Sequence, residues 1–260
     1  MCGPDGEAVI RRRPRVVWGP VLRPDAAYVI RKLRYEIFPD YWIPALLYEP
    51  TRLRGRVGVV LNPNGHHTGG KAAIYKQARC INLAKRGLIA LNFEFIGMGE
   101  LGGDHPHNNL AVLDMTGMSC AGAFYLGMRK GLDVLLSHPR ADRKRVAMTG
   151  LSGGGWQTIV LSALDSRITL SVPVAGYTSL MVRAARLCDI GDIEQLPPDL
   201  ATVLDYQDMT AMLAPRPTLQ TYNAKDDCCF ESGYALKPLT DAAAGAFASF
   251  DKRDSLRTHV

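Results

Sequence analysis

Short, almost wholly apolar runs alternate with helical patterns along the chain, and this alternation is the feature that most constrains the fold. Residues 56–61 (RVGVVL) and 88–93 are two such runs. Each is followed by a polar loop and then by helical spacing, over residues 71–86 and from about 111 to 136. Strands without polar alternation are typical of a parallel sheet covered on both faces. The sequence therefore predicts an α/β fold with a mostly parallel central sheet and helices on both faces.

The same alternation continues beyond residue 140. Strand signatures lie at residues 145–149, 168–174 and 218–222, and helical spacing lies at 156–164. An insertion with short helical patterns occupies about residues 175–210, and we expect it to lie above the sheet. These elements extend one sheet rather than starting a second domain.

The N-terminal part has a different pattern. Residues 33–37 alternate between apolar and charged side chains, and a turn at 38–41 leads into an apolar run over 42–48. This pattern predicts an antiparallel hairpin at one edge of the sheet. Residues 1–25 are rich in Arg, Pro and Gly without a clear period, so we expect an irregular leader, followed by a single domain over 26–260.

The charge and the cysteines narrow the function classes. The net charge is +6, but the only basic run, residues 11–15, has no interleaved aromatic residues for base stacking, which disfavours a nucleic-acid partner. No stretch has the roughly 18 apolar residues of a membrane span, and residues 1–30 lack a signal-peptide core. The six cysteines form no C-x-x-C pair, which fits a reducing compartment. The expectation is a cytoplasmic protein, or a secreted one if a signal segment precedes residue 1.

The segment 150–154 (GLSGG) matches the pattern G-x-S-x-G, with Ser152 at its centre. It lies between an apolar strand and a helical segment, where a tight turn pushes the serine out above the sheet. This placement predicts Ser152 as a nucleophile. The alternative is an ordinary turn in which the serine only caps the helix.

An oxyanion hole needs two backbone N–H donors beside such a serine. Gly153, at the start of the helix, supplies one. Gly65 and His66, in the loop after the strand that ends at Leu61, are expected to supply the other. Alternatively, the histidines of this loop ligate a metal or are merely exposed. Adjacent residues rarely point at one ion and no carboxylate cluster accompanies them, so we expect neither a metal nor another cofactor.

A catalytic acid should follow the serine in the chain. Asp226 comes just after the strand 218–222, with Asp227 behind it, and we predict Asp226 as the acid of a triad. The alternative is a turn aspartate that satisfies only the local backbone.

The base is the least defined member of this triad. One histidine, His259, follows the acid, at the end of a last strand that begins near residue 255, and it is the candidate base. Because the base of a Ser-Asp-His triad on such a sheet is expected in a loop after the last strand, we expect the fold to be incomplete at its C-terminal end. The histidines that precede the acid are His66, His67, His105, His107 and His138.

Three further side chains are expected near the substrate. His105 and His107 lie in a loop that opens on the same face as Ser152, and Trp156 follows the nucleophile by four positions. We predict that they line the substrate pocket, with a solvated loop and a core tryptophan as the alternatives.

These residues together resemble an α/β-hydrolase group that includes bacterial acetyl xylan esterases and related carbohydrate esterases. The resemblance runs from about residue 35 to 260. Its most specific parts are residues 64–71 (NGHHTGGK), 149–155 (TGLSGGG), 214–217 (APRP) and 223–230 around Asp226.

The resemblance implies Ser152 as the nucleophile, Asp226 as the acid, and residues 65–66 with Gly153 as the oxyanion region. The chain departs from the family pattern at the C-terminus, where family members continue into a loop with the catalytic histidine and a covering helix. Members are often exported.

The sequence thus predicts a serine esterase that cleaves small acyl esters, such as O-acetyl groups of carbohydrates, through an acyl-enzyme. A prolyl-oligopeptidase-like peptidase is one alternative, and a catalytically silent scaffold that lacks its base is the other. The expected partner is a small ester or an acetylated carbohydrate, with no nucleic acid and no membrane. Association into a homo-oligomer is left open.

Overall fold

A computed structural model of the chain describes residues 6–103, 107–186, 189 and 192–260. Within them the strands are β1 (Val16–Asp25), β2 (Tyr28–Phe38), β3 (Tyr41–Pro50), β4 (Val57–Asn62), β5 (Ile89–Phe93), β6 (Ala141–Leu151), β7 (Leu170–Val174), β8 (Thr218–Thr221) and β9 (Leu256–His259). The α-helices are α1 (Gly6–Arg11), α2 (Ile74–Lys85), α3 (Cys120–Ser137), α4 (Gly153–Leu164), α5 (Leu180–Ala185), α6 (Leu200–Val203), α7 (Tyr206–Ala211) and α8 (Ser232–Ser249). Short 3₁₀ helices cover Gly70–Ala72, Gly99–Leu101, His107–Thr116, Ile193–Gln195 and Arg253–Ser255.

The nine strands form one sheet in the order β1-β2-β3-β5-β4-β6-β7-β8-β9. The pairs β1–β2, β2–β3 and β3–β5 are antiparallel. All the pairs from β5 through β4, β6, β7 and β8 to β9 are parallel. The predicted mostly parallel α/β sheet is therefore confirmed. The carboxyl ends of the parallel strands share one edge, and the loops that follow β4, β5, β6, β7 and β8 meet there.

Two buried clusters show that both faces of the sheet are covered. Leu47 and Leu91 belong to the large cluster with α3 and α4, whereas Tyr48 and Ala90 belong to a small cluster with Ala84 of α2. Consecutive residues of a strand point to opposite faces. Helices therefore pack on both faces, as the sequence predicted.

The N-terminal hairpin is confirmed as β2 and β3, but β1 and not the hairpin forms the edge of the sheet. The prediction of an irregular leader is wrong for residues 6–25, which form α1 and β1. Most of β1 is exposed, so it has no apolar alternation to reveal it. Backbone pairing with β2 holds it in place, and Arg12 and Arg15 reach the buried Glu36 at 2.6 and 2.8 Å. Two arginines of the basic run thus form ion pairs that hold the N-terminal segment against β2.

The segment between β7 and β8 contains α5, α6 and α7, in the region where the sequence predicted an insertion. Helix α8, which packs against α7 and β9, has no counterpart among the predicted elements. Among the described residues, no helix combines the length and the apolar character needed to cross a membrane.

Candidate active site

Ser152 occupies a sharp turn between the last residue of β6 and the first residue of α4. Its backbone lies at φ 59° and ψ −122°, a region that non-glycine residues rarely adopt and that costs about 1–3 kcal/mol. Its carbonyl accepts from Gly155 N at 2.7 Å, and its N–H donates to Val174 O at 3.0 Å. Within α4, all of which is described, the Ser152 side chain makes no capping hydrogen bond. The turn therefore holds the hydroxyl off the helix rather than using it as a cap.

The loop after β4 lies directly against this turn. A Cβ on Gly65 would lie 2.7 Å from the carbonyl oxygen of Leu151 and 2.9 Å from the amide nitrogen of Gly153. Both distances are far inside van der Waals contact, so only glycine fits here. The structure thus brings Gly65, His66, Gly153 and Ser152 together, as the sequence expected.

Two backbone N–H groups at this contact are unused. Among the described residues, no protein atom accepts a hydrogen bond from the N–H of His66 or of Gly153. The carbonyl of Gly65 accepts from Lys76 Nζ at 2.8 Å. Because C=O and N–H point in opposite directions in a trans peptide, this bond turns the His66 N–H away from Lys76. Two donors are therefore available beside the serine.

Contacts with three elements fix the loop of residues 63–65. Asn64 Nδ2 donates to Asn92 Oδ1 of β5 at 2.6 Å and to the carbonyl of Phe93 at 2.5 Å. Gln157 of α4 donates to the Asn64 carbonyl at 2.7 Å, and Arg79 of α2 donates to the Pro63 carbonyl at 3.3 Å. Backbone positions that are fixed in this way need little reorganisation when charge develops next to them.

Lys76 of α2 is a buried lysine that donates to the loop. Its side chain is on the same stripe of α2 as the buried residues Cys80 and Ala84. Burial lowers the pKa of Lys76 to about 8. Lys76 is absent from the predicted site residues, although its i, i+4, i+8 spacing with the apolar residues Cys80 and Ala84 is a signal in the sequence.

Asp226 is held in a tight turn after β8. Its Oδ1 accepts from the amides of Cys228 and Cys229 at 3.0 and 3.2 Å, and its Oδ2 accepts from Asn223 at 2.8 Å. Partial burial alone would raise the pKa of Asp226, but these hydrogen bonds outweigh it and lower the pKa. Among the described residues, no histidine ring lies within ion-pair distance of this carboxylate.

The structure does not bring His259 to Ser152. His259 is the last residue of β9 and pairs with Thr221, which pairs with Val174, which pairs with Leu151. Three strand spacings place its Cα about 14 Å from that of Leu151. Its side chain is exposed, and none of the described residues forms an ion pair with it. The geometry therefore does not support His259 as the base.

A cluster of ionisable side chains lies next to the loop. His107 Nε2 is 2.9 Å from Glu194 Oε2, and His66 Nε2 is 3.5 Å from Asp192 Oδ2. Burial lowers the pKa of His66. Burial also opposes protonation of His107, but its hydrogen bond to Glu194 outweighs this and raises the pKa. The pKa of Asp192 is raised by burial and by the negative charge of Glu194.

The three predicted pocket residues have different outcomes. Trp156 is 1% exposed and donates from Nε1 to Tyr206 Oη at 2.7 Å, so it belongs to the core and the prediction that it lines the pocket is wrong. Its position in the first turn of α4 points it at α7 rather than at solvent. His107 is buried in the cluster just described, and His105 lies outside the described residues.

A parallel sheet with a serine on a strained strand-to-helix turn, beside two unused N–H donors, defines the α/β-hydrolase class of serine hydrolases. The acetyl xylan esterase (AXE1) family matches residues 32–196, and the chain belongs to this family. It is therefore a carboxylic ester hydrolase. No relative was found among the curated proteins.

Solved structures support the fold. An esterase from Bacteroides fragilis, assigned as an acetyl xylan esterase, superposes with a TM-score of 0.78 at 20% identity over 98% of this chain and 72% of its own. A methylesterase gives 0.75 at 23% identity over 98% of this chain and 55% of its own. The acetyl xylan esterase from Paenibacillus sp. R4 gives 0.69 at 18% identity over 98% of this chain and 85% of its own. At these identities the likeness shows the fold.

Gly65→Ala tests the contact between loop and turn. The new Cβ would displace the loop from Leu151 and Gly153, so we expect the rate of ester hydrolysis and of fluorophosphonate labelling to fall about 100-fold, as when an oxyanion donor is lost. Gly245→Ala is the control, because a Cβ there meets open space in α8. Equal rates in both variants would show that the contact has no role in the reaction.

Lys76→Met tests the lowered pKa of Lys76 through the pH dependence of stability. Between about pH 8 and 10.5 the unfolded chain binds a proton at Lys76 that the folded chain does not, so this residue makes the stability rise with pH. We expect the difference in unfolding free energy, wild type minus variant, to increase across this window in urea titrations. Lys85→Met is the control, since Asp25 raises the pKa of Lys85 and no increase should occur there. A flat difference for Lys76 would contradict the assignment.

Proposed function

We propose that the protein removes acetyl groups from O-acetylated carbohydrates through an acetyl-enzyme on Ser152. The observation that carries the proposal is the strained turn at Ser152, packed against Gly65, with the N–H groups of His66 and Gly153 unused beside it. Membership of the acetyl xylan esterase family supports the acyl group and the class of alcohol.

In the proposed reaction, Ser152 Oγ attacks the acetyl carbonyl and loses its proton to a base. The carbonyl oxygen becomes an oxyanion that accepts hydrogen bonds from His66 N–H and Gly153 N–H. The sugar alcohol leaves with a proton, and water then attacks the acetyl-enzyme to release acetate. The positive end of α4 adds to the stabilisation of the oxyanion.

Asp226 is proposed as the acid. Its two backbone amide bonds and the Asn223 bond keep it ionised and fixed at the carboxyl edge of the sheet. A fixed carboxylate at this edge is suited to orient an imidazole and stabilise its charged form. The turn-aspartate alternative predicts that Asp226→Asn affects stability but not the reaction.

The alternatives differ in substrate or in the loss of reaction. Family membership does not favour the prolyl-oligopeptidase-like peptidase. A silent scaffold would keep the fold and bind carbohydrate without forming an adduct at Ser152.

The first experiment is intact mass after exposure to a fluorophosphonate, together with acetate release from acetylated xylan. We expect one adduct and measurable acetate release, both lost in Ser152→Ala, because an adduct requires an activated serine. Ser162→Ala, a buried serine on the same helix, is the matched control and should still be labelled. No adduct on folded wild-type protein would favour the silent scaffold, and cleavage of aminoacyl amides would favour the peptidase.

A separate variant tests whether His259 acts as the base. We expect His259→Gln to change the labelling rate by less than about twofold, because a ring three strands from Leu151 cannot reach the serine. Loss of labelling in His259→Gln, with an unchanged circular dichroism spectrum, would reverse this expectation and make His259 the base.

A further inference from the structure

We propose that His66, His107 and Glu194 form a binding site for a divalent transition-metal ion of the zinc type. One ligand atom from each residue lies within 4.8 Å of the others, and the three residues come from three separate segments. The loop after β4 supplies His66, the segment after β5 supplies His107, and the insertion between β7 and β8 supplies Glu194. The proposal concerns binding and does not depend on hydrolysis at Ser152.

Two ligand atoms of this cluster are buried without a hydrogen bond to any described residue. These atoms are His66 Nε2 and Glu194 Oε1, and they lie 3.9 Å apart. Glu194 is 0% exposed, so its free oxygen has no access to bulk water. An unpaired buried carboxylate oxygen is destabilising unless a cation or a donor meets it.

The hydrogen bonds of His107 define its tautomer. Its Nδ1 lies 3.1 Å from the carbonyl of Ile96, which can only accept a hydrogen bond, so Nδ1 carries the proton. In the neutral ring, the lone pair of Nε2 then faces the carboxylate of Glu194 at 2.9 Å. Two acceptors at this distance need a proton or a metal ion between them. A backbone carbonyl that orients the second nitrogen is also the usual support of a histidine ligand.

The spacing of the ligand atoms is also close to what zinc needs. Ligand atoms about 2.0–2.1 Å from a tetrahedral zinc ion lie about 3.3 Å from one another. One ligand atom from each of the three residues lies within 4.8 Å of the other two. His107 Nε2 is 2.9 Å from Glu194 Oε2, and His66 Nε2 is 3.9 Å from the other carboxylate oxygen, Oε1. Two imidazoles and a carboxylate are a donor set that zinc takes.

A metal ion here would tie the oxyanion loop to the insertion. His66 contributes its ring to the cluster, while its backbone N–H lies beside Ser152. Binding would therefore restrict the same residue that is proposed to stabilise the oxyanion. No carboxylate cluster accompanies His66 and His67 in the sequence, which disfavours a metal, but the fold brings Glu194 to His66 from the insertion.

The test is titration of chelator-treated protein with Zn²⁺ by calorimetry and with Co²⁺ by absorption. Cys228 and Cys229, whose sulfur atoms are 3.1 Å apart, are replaced by Ser in all samples because vicinal thiols also bind zinc. We expect one ion per chain, a raised Tm, and a visible Co²⁺ spectrum without a thiolate charge-transfer band. His107→Gln and Glu194→Gln should weaken binding at least about 10-fold.

The controls separate loss of the site from loss of the fold. His138→Gln removes a partly buried histidine that lies 3.8 Å from Glu49, outside the cluster, and should bind like the parent. His66→Gln replaces a ring that is 28% exposed, so it remains informative if the Glu194 variant does not fold. The proposal would be overturned if the parent bound no stoichiometric ion, or if the His66 and His107 variants bound the ion as tightly as the parent. A protonated His107 would then be the partner of Glu194. Because neither readout needs turnover, failure of the esterase assay would not affect the outcome.

Discussion

The close contact between the loop after β4 and the turn at Ser152 is the constraint on which the site depends. A Cβ on Gly154 would lie 2.7 Å from the carbonyl oxygen of Pro63, and a Cβ on Gly65 would meet Leu151 and Gly153 as closely. The two backbones therefore have no room for side chains between them. This contact places the His66 N–H beside the turn and explains why the positive φ of Ser152 is tolerated, since neighbouring backbone holds it on both sides.

The contact is stabilised by polar groups that are themselves buried. Lys76 donates to the Gly65 carbonyl and Gln157 to the Asn64 carbonyl, so α2 and α4 hold two consecutive peptide groups of the loop. Burial of the Lys76 ammonium opposes its protonation, and the negative charge of Glu94 offsets only part of this effect on the pKa. Stability is thus given up at the position that fixes the Gly65 peptide group against the turn at Ser152.

The sequence predicts what depends on local pattern and misses what depends on distant contacts. The strand before Ser152 and the helix after it follow from apolar periodicity, and Gly65 follows from the need for a close approach. β1 was missed because backbone pairing and the Glu36 ion pairs hold it rather than an apolar face. Trp156 was placed in the pocket because spacing does not reveal that Tyr206 takes its N–H. Glu194 could not be found at all, since nothing in its local sequence points to His66.

The insertion is connected to α4, the helix that follows Ser152, through a chain of hydrogen bonds. Trp156 donates to Tyr206 Oη, and Tyr206 donates to the carbonyl of Gln195, the residue after Glu194. Gln195 also accepts from Arg183 at 2.6 Å. These bonds fix the position of Glu194 relative to α4, and Glu194 in turn lies against His107 and His66. The insertion therefore does more than cover the sheet: a change in its position would move the ring whose own peptide N–H lies beside Ser152.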